Sequence, residues 1–171
     1  GPYREAKREA LSLHGIEMEK SYLWGDAVDI AGFNGQRQTM TKGVYNHLTT
    51  NVGGKFNING PLDEDTLDSL MEDVFRYGHN EKLALAGSTF IRAVTTLGKR
   101  NGILNMVPTD RTYGMKIVEY TTAFGTLYIR NHPLLSQHAA WRKDAFVIDV
   151  PYLVRRTVDD TMFIKDRQDR S

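Results

Sequence analysis

The stretch from Arg4 to Gly25 constrains the fold most, because it predicts one long helix at the start of the chain. Good helix formers fill it, without proline or asparagine, and a glycine such as Gly25 commonly follows a helix. At about 100° per residue, its apolar side chains fall on two faces of the helix. The broad face holds Ala6, Ala10, Leu13, Ile16, Leu23 and Trp24, and the narrow face holds Leu11, Met18 and Tyr22.

Charged side chains such as Lys7, Arg8 and Glu19 separate these two apolar faces. A surface helix normally needs one apolar stripe, so one interpretation is a strut that other elements contact from both sides. The other interpretation is an ordinary amphipathic helix with a few exposed apolar residues. We predict a continuous helix of roughly five to six turns, with its broad face against strands late in the chain. Gly15 is its weak point, because a glycine inside a helix costs about 1 kcal/mol.

Length, charge and composition limit the class of protein. The chain has 171 residues, enough for one domain with a core or for two small lobes. Its net charge of +1 is too balanced for binding nucleic acid by backbone charge alone. The absence of cysteine excludes disulfides and thiolate metal sites, and it fits a reducing cytoplasm. No apolar run is long enough to span a bilayer, so we expect no membrane partner.

Both ends of the chain suggest trimming. Gly1-Pro2 is typical of the residues left when a protease removes an expression tag, so we expect native sequence upstream of the first helix. The C-terminal sequence RQDRS consists of polar residues without a terminating element, which makes it a second candidate point of truncation.

After the first helix, the sequence predicts a polar connection and then an α/β lobe. Turn-forming residues dominate 26–60, so we expect extended pieces and short hairpins there. A helix follows the N-cap Asp63 and closes at Gly78. Next come a buried strand, Leu83–Ala86, and a helix, Ser88–Leu97, ended by the following glycine. Helix, strand and helix in this order are typical of an α/β lobe.

The second half of the chain is richer in strand patterns. Met115–Thr122 and Thr126–Asn131 predict a β-hairpin. The segment 133–142 predicts a loop with one helical turn, and the apolar run Ala145–Ile148 predicts a central strand. Weaker strand patterns lie at Ile103–Val107, Tyr152–Arg155 and Met162–Lys165.

The two helices of the lobe and the strand between them should form its core, because the nearby sequence offers them no other apolar partners. We predict that seven side chains are buried together: Leu70, Val74, Phe75, Leu85, Phe90, Ile91 and Val94. The predicted class is therefore mixed α and β, with helices early and strands late.

No pattern for catalysis or metal binding stands out. The histidines, at positions 14, 47, 79, 132 and 138, are scattered without the spacing of metal ligands. Gly53-Gly54-Lys55 resembles the end of a phosphate loop, but Phe56 stands where serine or threonine is needed. Ser88 lacks the nucleophile elbow and is explained as an N-cap.

Charged clusters also have simpler explanations. Asp63, Glu64, Asp65 and Asp68 lie in the first turns of a helix, where the helix dipole favours them, and they lack EF-hand spacing. Near the C-terminus, acidic and basic side chains are interleaved and predict solvated ion pairs rather than a metal site: Arg155, Arg156, Asp159, Asp160, Lys165, Asp166 and Arg167. The basic residues, including Arg142 and Lys143, are too few for a nucleic-acid footprint. We therefore predict no catalytic residue, no cofactor-binding residue and no metal ligand.

The order of these pieces resembles that in a known family. A long charged helix ends in Leu23-Trp24-Gly25, and a polar stretch follows with a Lys-Gly-Val segment within Thr41 to Val44. Four segments come next: LDEDTLDSLMEDVFRYG, KLALAGSTFIRAV, KIVEYTTAFGTLYIRNHPLL and AFVIDVPYLVRRTVDDTMFIKD. Over almost the whole chain, this order is similar to that in the major capsid proteins of tailed bacteriophages, which have the Hong Kong 97-type fold.

The resemblance implies an α+β fold with a long spine helix, a peripheral domain sheet and an axial α/β lobe. It implies that residues 1–45 hold the spine helix and a peripheral-domain segment. The axial domain would then occupy 46–135, and 136–171 would return to the peripheral domain. Family members normally have an N-terminal arm and an extended β-hairpin before the spine helix. This chain begins at the helix, so the resemblance implies truncation at the N-terminus.

The leading hypothesis for function is a structural protein without enzymatic activity. The chain is expected to be a major capsid subunit that self-assembles into the icosahedral shell of a tailed phage. Its expected partners are copies of itself, in hexamers and pentamers, with a scaffolding protein as a further candidate. The shell would enclose phage DNA without sequence-specific binding, in a virion assembled in the host cytoplasm. A near-neutral charge fits this role, because it avoids long-range repulsion among many copies.

Two alternatives remain open from the sequence. One is a small α/β hydrolase or nucleotide-binding enzyme with an unrecognised site, and the other is a partner-binding module of a larger machine. A shell subunit should be flat around one long helix. An enzyme should instead enclose a deep cleft in which polar groups converge.

Overall fold

The computed structural model describes residues 2–50, 54–101, 108–111 and 115–154. Within these ranges, only the backbone is described for 101, 108–111 and 115–117. The predicted strands at Ile103–Val107 and Met162–Lys165 lie outside the described residues, as do the charged residues from 155 onward. The described chain is a mixed α and β structure with two sheets, which confirms the predicted class.

The first helix, α1, runs from Pro2 to Trp24 without a break at Gly15, so the predicted long helix is confirmed. The expectation that its broad face lies against late strands holds only at the end of the helix, where Leu23 and Trp24 pack with Phe146 of the strand Ala145–Ile148. Leu13 is 56% exposed, and Leu23 is the single buried residue of this helix. The apolar faces remain uncovered because α1 contacts the rest of the described chain mainly through its C-terminal part.

The connection after α1 contains a hairpin and a helix. Strands β1 (Val28–Ala31) and β2 (Arg37–Met40) pair antiparallel, which confirms the expected hairpin. Helix α2 (Val44–Thr50) was not predicted, because the turn-forming residues of 26–60 indicated only extended pieces and hairpins there.

The lobe begins with helix α3 (Glu64–Phe75), and its N-cap is the predicted Asp63, whose Oδ1 accepts a hydrogen bond of 2.8 Å from the Thr66 amide. Strand β3 (Glu81–Ala86) then leads into helix α4 (Ser88–Asn101). The prediction that Gly98 ends this helix is wrong. Gly98 is buried inside α4, which continues to Asn101.

Four more strands complete the large sheet: β4 (Pro108–Arg111), β5 (Met115–Thr121), β6 (Thr126–Asn131) and β7 (Ala145–Ile148). The strand order is β4-β5-β6-β3-β7, with β3 parallel to β6 and every other pair antiparallel. The β5–β6 hairpin is confirmed. So is the single helical turn before β7, helix α5 (Pro133–Gln137). In place of the strand expected from Tyr152, the structure has a short 3-10 turn, Val150–Tyr152, and residues 153–154 belong to no strand.

Strand β7 is an edge strand among the described residues, so its predicted central position is wrong. Its continuous apolar run has a different cause. Ala145 and Val147 pack against the core on one face of the sheet, whereas Phe146 is buried on the other face. A strand covered on both faces has the same sequence pattern at an edge as in the centre.

Side chains alternate along β3 and β7, so the two faces of the sheet carry separate clusters. The main core lies under α3 and α4, and of the seven predicted core residues six belong to it or pack against it. Leu85 is the exception, because it points to the opposite face, where it packs beside Phe146. The buried members of the main core are Leu67, Leu70, Met71, Ala84, Ala86, Val94, Tyr120, Leu127 and Ile129.

Candidate assembly surface

Helix α1 is attached to the sheet by its last turn. Leu23, Leu135 and Phe146 are buried together there, and we call these three residues the anchor cluster. Six partly buried side chains surround it: Trp24, Tyr45, Leu48, Leu85, Leu134 and Trp141. The anchor cluster therefore joins α1, α2, α5 and two strands at one place.

Aromatic rings fill the space around the anchor cluster. The ring centroids of Trp24 and Trp141 are 5.6 Å apart, and those of Tyr45 and Trp141 are 4.7 Å apart in a T-shaped arrangement. Phe146 lies 6.1 Å from Trp141, measured between centroids. Such ring pairs add stability beyond the area they bury, so the end of α1 is held in a defined position.

Two glycines let the backbone cross itself beside the anchor cluster. The Gly43 amide donates a 2.7 Å hydrogen bond to the Gly25 carbonyl. A Cβ atom on Gly43 would lie 2.5 Å from the Gly25 nitrogen and 2.8 Å from the Trp24 nitrogen. The side-chain amide of Asn46 (Nδ2) also donates a hydrogen bond to the Gly25 carbonyl, at 2.8 Å. The segment after α1 is thereby tied to the start of α2.

A side-chain pair fixes α1 one turn further back. His132 follows β6 and is 6% exposed. Its Nε2 atom lies 2.9 Å from Oε1 of Glu19. Buried polar groups almost always have hydrogen-bond partners, so the position of Glu19 satisfies a group that would otherwise be costly to bury.

The rest of α1 stands away from the lobe and carries uncovered apolar side chains. Leu11 is 52% exposed and Leu13 is 56% exposed, while Ile16 and Tyr22 are at least one-third exposed. These residues come from both predicted apolar faces. Large apolar side chains on a projecting element are typical of a surface that another chain covers.

The β1–β2 hairpin carries a second uncovered apolar surface. By strand alternation and register, Val28, Ile30 and Met40 share one face of the hairpin, and Ile30 and Met40 are at least half exposed. On the other face, Arg37 and Asp29 form an ion pair of 2.6 Å. An isolated two-stranded hairpin is marginally stable in water, so this one is a candidate for cover by another chain.

The structure scatters the histidines noted in the sequence. His14 and His47 are exposed on α1 and α2, and His138 accepts a hydrogen bond at Nδ1 from the Ala140 amide. The His79 amide donates to Asp149 at 2.9 Å, which holds the pKa of this carboxyl below its ordinary value. His132 pairs with Glu19, as described above. The structure therefore brings none of the five together.

The remaining candidate residues also lie in structural positions. Ser88 is the first residue of α4, whose N-terminal amides of Thr89 and Phe90 donate to the Arg142 carbonyl. Burial raises the pKa of Asp144, and nearby Lys55 opposes that rise. Within the described ranges, no three His, Asp or Glu residues come together in a group that could hold a metal ion.

One open pocket of about 270 Å³ lies on α4 and the segment before α3. Its walls are apolar, with Pro61, Leu62, Ala93 and Leu97, and two arginines, Arg92 and Arg100, line it as well. Among the described residues, its lining contains no acid and no histidine, and its hydroxyl groups are those of Thr89 and Thr96. Nothing in the described part of the chain favours the hydrolase alternative. None of the described helices is long and apolar enough to cross a membrane.

Sequence reasoning missed α2 and the aromatic surroundings of the anchor cluster. A local signal existed, because Tyr45 and Leu48 have helical i, i+3 spacing and both pack against the cluster. Trp141 lies in a turn, and no periodicity in the sequence links it to Trp24 across more than a hundred residues.

Comparisons with known proteins relate this chain to phage capsid proteins. A family model described as SU10 major capsid protein matches residues 2–170. A curated relative, the major capsid protein of Pseudomonas phage PaMx41, is 25% identical over 156 residues. The match covers 86% of this chain and 37% of the relative, so the chain spans well under half the length of that relative.

Proposed function

Since this chain belongs to the SU10 major capsid protein family, we propose that it is a structural subunit of a phage head that assembles with copies of itself and catalyses no reaction. The observation that carries the proposal is α1. This helix is held by its last turns and exposes apolar side chains along the rest of its length. In a shell, neighbouring copies would cover these side chains.

The proposed architecture is the Hong Kong 97 type. α1 is then the spine helix, residues 1–45 include a peripheral-domain segment, and 46–135 form the axial domain. Residues 136–171 return to the peripheral domain, although β7 within this segment pairs with β3 in the large sheet. A long helix attached to a sheet that carries helices α3 and α4 supports this assignment.

The proposed partners follow from the shell. They are copies of the chain in hexamers and pentamers, with a scaffolding protein as a further partner during assembly in the host cytoplasm. The shell encloses DNA without reading its sequence, and a net charge of +1 supports this because it gives little general attraction to phosphate. The expected location of the finished protein is the virion.

Assembly itself tests the proposal. We expect the 171-residue chain to remain a monomer or small oligomer, because specific interfaces generally need about 1,200–2,000 Å² of buried surface. The complete gene product that contains this chain should form closed shells. Light scattering and negative-stain microscopy on both proteins measure this. The proposal is wrong if the complete product stays a small oligomer under all conditions, including with its scaffolding partner.

A variant of α1 sharpens the test. Leu13→Asp should reduce shell formation by the complete gene product, because Leu13 is exposed in the subunit and would be covered in the shell. Ser12→Asp is the matched control, since it places the same charge one position away on the exposed helix. Both variants should keep the melting temperature of the parent chain.

A further inference from the structure

The tip of the β1–β2 hairpin presents a phenyl ring to solvent. Phe33 is fully exposed, at 106% of its reference area. The turn that carries it is fixed by two backbone hydrogen bonds, from the Gly35 amide to the Gly32 carbonyl at 2.8 Å and from the Gly32 amide to the Gln36 carbonyl at 2.7 Å. A large apolar side chain is therefore held at the end of a projecting, hydrogen-bonded element.

The pocket on α4 has the size and chemistry to receive such a ring. Its volume is about 270 Å³ and it is open to solvent, so a side chain from another copy has access to it. Leu62, Ala93 and Leu97 supply apolar walls. Arg92 and Arg100 place guanidinium groups at the same pocket, and a guanidinium over a ring face is a favourable cation–π contact. Because Phe33 is fully exposed, it does not fill the pocket of its own chain.

We propose that Phe33 of one subunit inserts into the α4 pocket of a neighbouring copy of the same chain. The proposal rests on the proposed function, because a shell brings neighbouring copies of one chain together. Phe33 and the pocket lie on different parts of the chain, so the same contact can repeat head to tail from one copy to the next. Repeated head-to-tail contacts close into rings when the rotation between copies allows it, and the proposed pentamers and hexamers are such rings.

Cysteine cross-linking tests the contact directly, because these 171 residues contribute no cysteine, and any cysteine elsewhere in the complete gene product is first replaced by serine. Phe33→Cys and Thr96→Cys, each introduced alone into the complete gene product, place one thiol at the tip and one at the exposed lip of the pocket. A mixture of the two variants should give a 33–96 cross-linked dimer under mild oxidation. The double variant should give a ladder of covalent oligomers, with the linked peptides identified by mass spectrometry.

Three results would overturn the contact. They are a 33–33 dimer as the main product, a 33–96 link within one chain, or no 33–96 link in assembled shells. The 33–33 product would mean that two hairpins meet symmetrically. The intrachain link would mean that the subunit covers its own pocket.

Truncation of the ring provides an independent measurement. Phe33→Ala should weaken association of complete subunits about tenfold or more, as expected for an aromatic anchor buried at an interface. Phe124→Ala is the matched control, because Phe124 is also an exposed phenylalanine but lies in the turn of the β5–β6 hairpin. Circular dichroism should show that both variants remain folded.

The outcomes separate this contact from the shell itself. If the parent subunit forms shells and Phe33→Ala assembles at the same concentration, or if Phe124→Ala weakens assembly equally, the contact is wrong and the shell proposal stands. If the parent subunit never assembles, the proposed function fails first.

Discussion

Nε2 of the buried His132 lies 2.9 Å from Oε1 of Glu19, a residue 113 positions earlier in the chain. The pair joins the end of β6 to α1. Nδ1 of the same ring is buried and has no hydrogen-bond partner among the described residues. Loss of Glu19 would therefore leave the imidazole with no partner at either nitrogen.

We expect Glu19→Ala to lower the free energy of unfolding by about 1–3 kcal/mol, the usual cost of an unsatisfied buried polar group. Hydrogen exchange should rise in the last two turns of α1. Urea unfolding and exchange mass spectrometry measure the two effects. Glu17→Ala, on the exposed side of the same helix, should change neither. Equal effects of the two variants would show that the His132 contact adds nothing.

The main core gives a second prediction. Leu67 lies on the buried face of α3 and is 1% exposed. Leu67→Ala should therefore cost about 2–5 kcal/mol of unfolding free energy through lost burial and a cavity. Leu11→Ala removes the same atoms from a side chain that is 52% exposed and should stay within about 0.5 kcal/mol. Chemical denaturation of the 171-residue chain measures both. A small loss for Leu67→Ala would mean that α3 is misplaced on the sheet.

Two glycine substitutions should act in opposite directions. Gly43→Ala should destabilise the chain by about 1–3 kcal/mol, because its new Cβ would collide with the backbone at the end of α1. Gly15→Ala should stabilise it by about 0.5–1 kcal/mol, since Gly15 is inside a helix and has open space around it. Thermal unfolding followed by circular dichroism decides between these signs. Stabilisation by Gly43→Ala would contradict the described crossing of the backbone.

Acid should destabilise the fold through two carboxyl groups. Hydrogen bonds from Thr66 hold the pKa of Asp63 below its ordinary value of 3.8, and the His79 amide does the same for Asp149. A lowered folded pKa means that each group contributes stability above the unfolded pKa. That contribution is lost as the pH falls through the lower folded pKa.

The measurement is the urea midpoint between pH 7 and pH 2.5, where the parent chain should lose stability toward the acid end. The double variant Asp63→Asn, Asp149→Asn should show a shallower acid dependence, because asparagine does not titrate and still caps a helix. Parallel curves for the variant and the parent would mean that other groups control acid unfolding.

Much of the fold was predictable because its signals are local. α1, α3 and the β5–β6 hairpin each carry their own periodicity, cap or turn within a few residues. The Asp63 cap is an example, since its bond to the Thr66 amide spans three positions. The features that could not be predicted depend on distant parts of the chain.

Leu85 shows why distant pairing defeats local reasoning. Its sequence neighbours predicted burial with α3 and α4, but the register of β3 with β7 places Leu85 opposite Phe146 and turns both to the other face. The edge position of β7 and the packing of Trp24 against Trp141 likewise depend on residues that are distant in the sequence. For the candidate surface, the two apolar faces of α1 were visible in the sequence, whereas their exposure was not.

The attachment of α1 at one end makes it a lever. At about 1.5 Å per residue, its Pro2 end lies about 33 Å from Trp24. A rotation of about 10° at the anchor cluster would therefore swing that end through about 6 Å. A subunit with such a lever could fit sites of different curvature while its core stays the same.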